Sequence, residues 1–463
     1  MGKNIREMMM GNMKNRIDCI FKYLMKQIIL MLSACLLLIS CDGKVDTLYF
    51  NEKEQVFEIS KAGELRYLNE VVGDILNFDK TIKLSNGKSI PIKGARFRLV
   101  NDIEITGKWS PIKYLLDNTF EEFDGNGHTI TFKDVVYTIN EKDLDSGYTS
   151  LEFGLFEALG NVTVKNLTLA GNITVQNNAE SSSFSLTIGA LAGHFFGGTI
   201  DNCTSNVNIQ VLGGSNVSLG GLIGFNGYNS DGSGTNFYHS ILNKGDITVK
   251  DNRGLVTVGG LAGGICLGET TQDTKLENKG KVVVNLSTKV GGYSGSTIGG
   301  VVGTLSSIKD ACHFYNYADI AVGSHGVSTL VAVGGVAGQM RCKDKEWITV
   351  YDMRNSGKIN LSGELQDAVI GGVAATVGGC FLHRLVNEGT LTFTDKIDCI
   401  VGGIVGSSSG GGFYRLVIPG MLDSNVPCEN CIYSCCMDKV SGFPLLGKKD
   451  DIGNCYCSKD IRL

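Results

Sequence analysis

The feature that most constrains this chain is a five-residue phrase that recurs along it. Gly259-Gly260-Leu261-Ala262-Gly263 is the clearest copy. Gly220-Gly221-Leu222-Ile223-Gly224, Gly299-Gly300-Val301-Val302-Gly303, Gly334-Gly335-Val336-Ala337-Gly338 and Gly402-Gly403-Ile404-Val405-Gly406 match it. Gly189-Ala190-Leu191-Ala192-Gly193 and Gly371-Gly372-Val373-Ala374 are weaker copies, and Phe153-Gly154-Leu155-Phe156 reads as the first. With second positions at 154, 190, 221, 260, 300, 335, 372 and 403, the steps are 36, 31, 39, 40, 35, 37 and 31 residues. A unit of that size cannot bury its apolar face alone, and its repetition is the signature of a solenoid or related array.

A second phrase follows each first one: Asn243-Lys244-Gly245-Asp246-Ile247, Asn278-Lys279-Gly280-Lys281-Val282, Asn355-Ser356-Gly357-Lys358-Ile359 and Asn387-Glu388-Gly389-Thr390-Leu391. Asn316-Tyr317-Ala318-Asp319-Ile320 carries Ala in place of Gly. Alternating β-branched residues come next, as in Ile247-Thr248-Val249, and mark a strand. Asn-x-Gly ahead of a strand predicts a tight turn, since both residue types tolerate positive φ. Each unit thus reads as strand, variable loop, turn, strand. Parallel stacking would place equivalent residues about 4.8 Å apart, with the apolar third and fourth positions of the first phrase, such as Leu261 and Val336, inside. A β-propeller is the rival, but its blades need four strands, and only two or three per unit are read here.

Both phrases resemble the GLUG repeat of bacterial surface and secreted proteins, over residues 150–410. That resemblance implies an all-β chain folded as a right-handed parallel β-helix of the pectin-lyase-like kind. It implies surface location more firmly than any activity.

Composition agrees with one long solenoid, which can absorb a length of 463 residues that would ordinarily mean several domains. The 62 glycines and 5 prolines provide many turns without rigid linkers. Residues 1–40 read as a targeting segment. Lys14, Arg16, Lys22 and Lys26 precede the apolar run Ile28–Ile39, too short for a membrane span and suited to a signal peptide. Leu38-Ile39-Ser40-Cys41 looks like a bacterial lipobox, which implies lipidation of Cys41 and a lipid-anchored place in the envelope, at the outer membrane facing the exterior. Leu32-Ser33-Ala34-Cys35 also fits, but cleavage there would leave Leu36–Ile39 exposed. Met25-Lys26 makes an alternative start. Residues 1–40 carry six basic and two acidic side chains, net +4; the whole chain is −5, so the remainder is −9. No basic patch of the kind nucleic acid requires is present.

Residues 41–58 read as a tether and a first strand, Thr47-Leu48-Tyr49-Phe50. Residues 59–150 read as an N-terminal cap and first coils. There Ser60 caps a helix with Leu65, Leu68, Val71, Val72 and Ile75 on one face, placed to cover the open end of the β-helix. Asp124 and His128 sit in the turn Phe123-Asp124-Gly125-Asn126-Gly127-His128 and read as local hydrogen-bonding groups. Residues 151–410 hold the repeats. Residues 411–463 form a Cys-rich end with Cys428, Cys431, Cys435, Cys436, Cys455 and Cys457, six of the chain's 15 cysteines. Cys428-x-x-Cys431 with Cys455-x-Cys457 has zinc-like spacing. However, Asn430-Cys431 and Asn454-Cys455 echo Asn202-Cys203, and Phe443-Pro444-Leu445-Leu446-Gly447 looks like a degraded first phrase. Further coils or a disulfide-stapled cap are expected there, with no metal and no cofactor.

A polysaccharide lyase would need clustered carboxylates for calcium and a base, and a glycoside hydrolase a carboxylate pair on one face. Corresponding positions hold Asp246, Lys281, Asp319, Lys358 and Thr390, a mixed column, and no catalytic residue is assigned. The aromatics Phe237, Tyr238, Phe314, Tyr315, Trp347, Phe413 and Tyr414 lie between the two phrases. If those segments emerge on one side, they make an aromatic stripe along the solenoid, suited to a glycan or host surface protein. Adhesion or recognition is therefore expected, with a lyase or hydrolase and a structural stalk or surface-layer component as alternatives.

Overall fold

The structure, a computed structural model, describes residues 45–73, 80–113, 120–141, 144, 150–179, 184–214, 216–226, 236–267, 274–287, 295–307, 311–342, 348–393, 399–409, 412–417 and 446–449. The chain divides at Asp46/Thr47, and the unit Thr47–Leu463 is the body described below. Among the described residues no helix is long and apolar enough to cross a membrane.

The body is a parallel β-solenoid. In the coil that begins at Val256, face A is Val256–Gly259, face B Ala262–Leu267, face C Leu276–Asn278 and face D Val282–Leu286. The first phrase turns the chain from A to B, and the second turns it from C to D. Face A stacks eight strands, from Ser150–Phe153 to Cys399–Gly402. Face B stacks nine, from Phe156–Leu159 to Leu446–Lys449. Faces C and D together form a branched fifteen-stranded sheet, because Thr204–Leu212 pairs with both Ile241–Asn243 and Ile247–Asn252.

Four strands per coil exceed the two or three read from the sequence. Pairing, and not strand number, excludes a propeller: each strand pairs in parallel with its counterpart in the next coil, whereas blade strands pair within one unit. Antiparallel pairs among the described residues occur only near the N-terminal end, at Tyr49–Asn51 with Val56–Ile59 and at Thr81–Lys83 with Ser89–Pro91.

The core is a set of columns. Leu155, Leu191, Leu222, Leu261, Val301, Val336, Val373 and Ile404 are all buried, and successive N–H groups donate up the stack, as from Leu261 to Val301 (2.9 Å) and Val301 to Val336 (2.9 Å). Face A adds Ile188, Leu219, Val258, Ile298, Val333, Ile370 and Val401. Each such side chain contributes about 1.5–3 kcal/mol by leaving water. The first copy of the phrase is one residue short. Phe153 pairs with Ile188 while Phe156 pairs with Ala192, so Gly154 belongs to the first-glycine column and not the second.

The asparagines of the second phrase form a buried ladder. Asn243, Asn278, Asn316, Asn355 and Asn387 are at most 1% exposed. Each amide donates to the next Oδ1 at 2.8–2.9 Å. The first four also donate to the carbonyl two residues on, at 2.8–2.9 Å. Their Oδ1 atoms accept the N–H two residues on, at 3.2–3.4 Å. A middle member such as Asn316 thereby uses all of its donors and lone pairs. None of these asparagines, and none of Gly245, Gly280, Gly357 and Gly389, has positive φ, which corrects the expected reason for the motif. Left-handed residues recur instead in a kink at face C, at Asn166, Asn202, Ser240, His313, Asp352 and Arg384.

The two phrases interlock. A Cβ on Gly260 would stand 2.2 Å from Asn278 Cγ, and one on Gly300 2.3 Å from Asn316 Cγ. The coil whose first phrase carries buried Ala190 carries Ser205 where the next has Asn243. The smaller polar side chain makes room for the extra methyl.

At the N-terminal end the helix Ala62–Gly73 buries Leu65, Leu68 and Val72 and leaves Val71 half-buried; Ile75 lies outside the described residues. Glu64 accepts both the N–H (2.6 Å) and the hydroxyl (3.0 Å) of Ser60, tying the first turn. Arg66 and Asn69 donate to the carbonyls of Thr106, Lys108 and Ser110, holding the helix to the terminal strand Ile103–Thr106 and the segment after it. Trp109, buried, donates its indole N–H to Gly154 O at 3.0 Å.

Two outcomes check this account. Leu261→Ala and Val336→Ala should each cost about 2–5 kcal/mol in denaturant unfolding; a loss under about 0.5 kcal/mol would contradict their place in the core. Gly260→Ala should cost less beside Asn278→Ser than alone, with a coupling of about 0.5–3 kcal/mol. Part of its cost remains, because the same Cβ meets Gly300 O at 2.2 Å. Strict additivity would contradict the interlock.

Candidate functional site

Period-two alternation sorts face C into inward and outward side chains. In Ala311–Asn316, Phe314 and Asn316 point in and are buried, while Tyr315 points out. Tyr317, in the turn that follows, is 42% exposed. His313 precedes them at φ 63°, in the kink.

These residues make a row of rings. Tyr317 and Tyr315 have centroids 6.5 Å apart, Tyr315 and His313 6.5 Å, and His313 and Tyr351 of the next coil 6.2 Å. Charged groups frame the row. Glu277, Tyr315 and Arg354 share one register. Lys275 lies 3.0 Å from Glu277, and Lys279 stands 5.5 Å over the Tyr317 ring. On the other side Arg354 grips Glu388 with a two-pronged contact, Nε to Oε2 at 2.9 Å and Nη2 to Oε1. His313 Nε2 lies 3.1 Å from Asp352 Oδ2, the Tyr315 hydroxyl donates to the same oxygen at 3.4 Å, and Arg384 stacks 5.5 Å over Tyr351. The Arg354 fork holds the Glu388 carboxyl below the usual carboxylate range. Desolvation, helped by the negative charge of Glu277, raises the Tyr317 phenol, which therefore stays neutral and donates.

The expected stripe is only partly here. Tyr238 (2% exposed) and Phe314 (0%) are core residues, which corrects their assignment to a ligand face. Tyr238 shares its register with Ile200, packs 5.9 Å from Phe195 and takes a hydrogen bond from the Asn226 amide. Phe314 stacks between Leu276 and Met353. Phe237 is half-buried, in register with Thr199 and away from the row. Phe413 and Tyr414 lie in register with Leu382 and His383, with side chains outside the described residues. Trp347, Cys41 and the six C-terminal cysteines also lie outside them. Of the expected set, Tyr315 alone is placed in the row. Tyr317, Tyr351, Arg354 and Arg384 were not singled out in the sequence. Counting back from the ladder asparagine would have found Tyr315 and rejected Phe314.

The mixed column has a structural use. Asp246 Oδ1 accepts the backbone N–H of Lys281 at 2.8 Å, and Asp319 Oδ1 that of Lys358 at 2.9 Å. Asp124 accepts from Asn126 N–H (2.8 Å) and the Asn166 amide (3.1 Å), while His128 lies 3.3 Å from Asp102. Among the described residues no group of three or more His, Cys, Asp and Glu could hold a metal ion.

A second cluster lies where faces A and B begin. His194 Nδ1 is 3.4 Å from Glu152 Oε1, and Ser150 donates to the same oxygen at 2.5 Å. Phe196 stacks on His194 at 5.3 Å. Burial pushes the Glu152 carboxyl up, but the hydrogen bonds from His194 and Ser150 outweigh it and leave it lowered. Burial and the Glu152 charge raise the Glu157 carboxyl. A raised carboxyl favours the fold below the unfolded pKa and loses that advantage as pH rises through its folded value. Glu157→Gln should therefore raise the melting temperature near neutral pH, with the gain vanishing around pH 3, where both states are protonated. An equal shift at both pH values would contradict the assignment.

No protein-family model matches the chain, and no curated protein sequence matches it significantly. A solved structure described as a "putative immunoglobulin A1 protease" from Bacteroides ovatus aligns with 15% identity and a TM-score of 0.38, over 79% of this chain and 84% of that one.

Proposed function

We propose that this protein is a lipid-anchored component of the bacterial cell surface whose β-helix serves adhesion or recognition, presenting face C to a glycan or a host surface protein. One observation carries the binding role: the solvent-facing row Tyr317, Tyr315, His313 and Tyr351, framed by fixed donors and acceptors. Aromatic side chains that face water next to ordered polar groups have no role in holding this core, and that combination is typical of recognition surfaces. The lipobox at Cys41 and the resemblance to GLUG repeats support the location. So does the disulfide at Cys380, since disulfides persist in oxidising compartments.

A glycoside hydrolase is the second reading, and Glu152 with Glu157 favours it: two neighbouring carboxyls whose environments separate their pKa values.

The test uses the soluble form that begins after Cys41, screened on a glycan array and on immobilised host-surface glycoproteins. Replacing Tyr315, Tyr317 and Tyr351 together by Ala should weaken capture at least about tenfold, or ~1.4 kcal/mol, while leaving circular dichroism unchanged. Unchanged capture by the triple variant would remove the binding face. Release of reducing sugar with turnover, abolished by Glu157→Gln, would establish the hydrolase instead. Separately, Cys41→Ala should abolish palmitate labelling and membrane retention of the full chain; persistent labelling would contradict the anchor.

A further inference from the structure

We infer that face C takes an uncharged glycan lying across the solenoid, along one strand, and not a polymer running up the stack. This rests on the reading of face C as the binding face and adds the ligand's direction and chemical class.

Direction follows from the topology. Tyr317, Tyr315 and His313 belong to one strand and the turn after it, and they point outward together because alternate residues share a side. Strands run around the coil, so the row is transverse to the stack. Along the stack the Tyr315 column breaks at once: Tyr315 is flanked in register by Glu277 and Arg354. A chain laid up the axis through Tyr315 would meet that ring and then charged side chains. A chain laid along the strand would meet Tyr317, Tyr315 and His313 in turn, with Tyr351 of the next coil beside the His313 end. The platform is therefore a few sugar units long and then ends.

Chemical class follows from the pairing of charges. Glu388 is taken by Arg354, Glu277 by Lys275, and Asp352 faces His313 and Arg384. Lys279 lies on Tyr317. Among the described residues each carboxylate of the row already faces a cation, only Lys279 lacks a carboxylate and lies instead on a ring, and the net charge of the whole chain, −5, disfavours anionic polymers. What remains is stacking area along the row, with paired donors and acceptors on both flanks. A pyranose ring matches it: one face of C–H groups for the tyrosines, hydroxyls at the rim for Glu277, Asp352 and the Arg354–Glu388 fork.

Isothermal titration of the soluble form with neutral glucan and mannan oligosaccharides, from disaccharide to octasaccharide, tests this against oligogalacturonates of the same lengths. Affinity should climb about tenfold or more from disaccharide to tetrasaccharide and then level, with oligogalacturonates at least about tenfold weaker. Tyr317→Ala should flatten the climb. Arg354→Lys, which keeps the charge and loses the fork, should weaken binding severalfold with an unchanged melting temperature. Affinity that keeps rising to the octasaccharide would overturn the transverse placement, and a preference for oligogalacturonates, or full affinity in Arg354→Lys, would overturn the chemical class; in each case binding at face C survives. Binding of either series that is indifferent to Tyr317→Ala, or no binding of any of these sugars, would overturn the inference and count against the face itself.

Discussion

The amide of a buried asparagine lying against the backbone of a glycine is the contact on which the rest of this structure depends. In each full repeat the second glycine of one phrase leaves the space that the asparagine of the other fills. The same amide then bonds its own turn and the next coil. Hydrophobic columns alone do not set register: Leu, Ile and Val at successive levels would pack nearly as well after a slip. A buried amide left without partners costs about 1–3 kcal/mol, so a slip of the ladder is penalised at every level at once. The geometry also explains one of the weaker copies of the phrase, where Ala190 and Ser205 change together.

That contact decides what faces solvent. With Asn316 fixed inward, Phe314 must be inward and Tyr315 outward. The left-handed kink then resets the alternation. Ile241, two residues before Asn243, is buried; Ser240 is left-handed; and the next inward residue is Tyr238. A plain count by twos would have put Tyr238 outside, and so did the reading of aromatics as a stripe.

The repeat, its β character and the inward columns were legible because period and alternation are local properties of the sequence. The reason for Asn-x-Gly was not, since a ladder is a relation between residues 32 to 39 positions apart. A turn propensity explains the same letters equally well until the coils are stacked. The row on face C was illegible for a similar reason. Tyr315, Tyr317 and His313 are neighbours in sequence, but Tyr351, Arg354, Arg384 and Glu388 join them only through register. The same stacking turns Asp246 and Asp319 from possible catalytic groups into acceptors for the next coil's backbone.

If the ladder holds the register, its effects must cross from coil to coil. The most direct test is hydrogen exchange read by mass spectrometry on Asn316→Ala. The account predicts lost protection in its own coil and in the neighbouring strands Leu276–Asn278 and Ile348–Asn355, with a fall in global stability of about 1–3 kcal/mol for each buried group left unpaired. Protection lost only at residues 314–318, with global stability unchanged, would show that the hydrophobic columns hold the register without the asparagines.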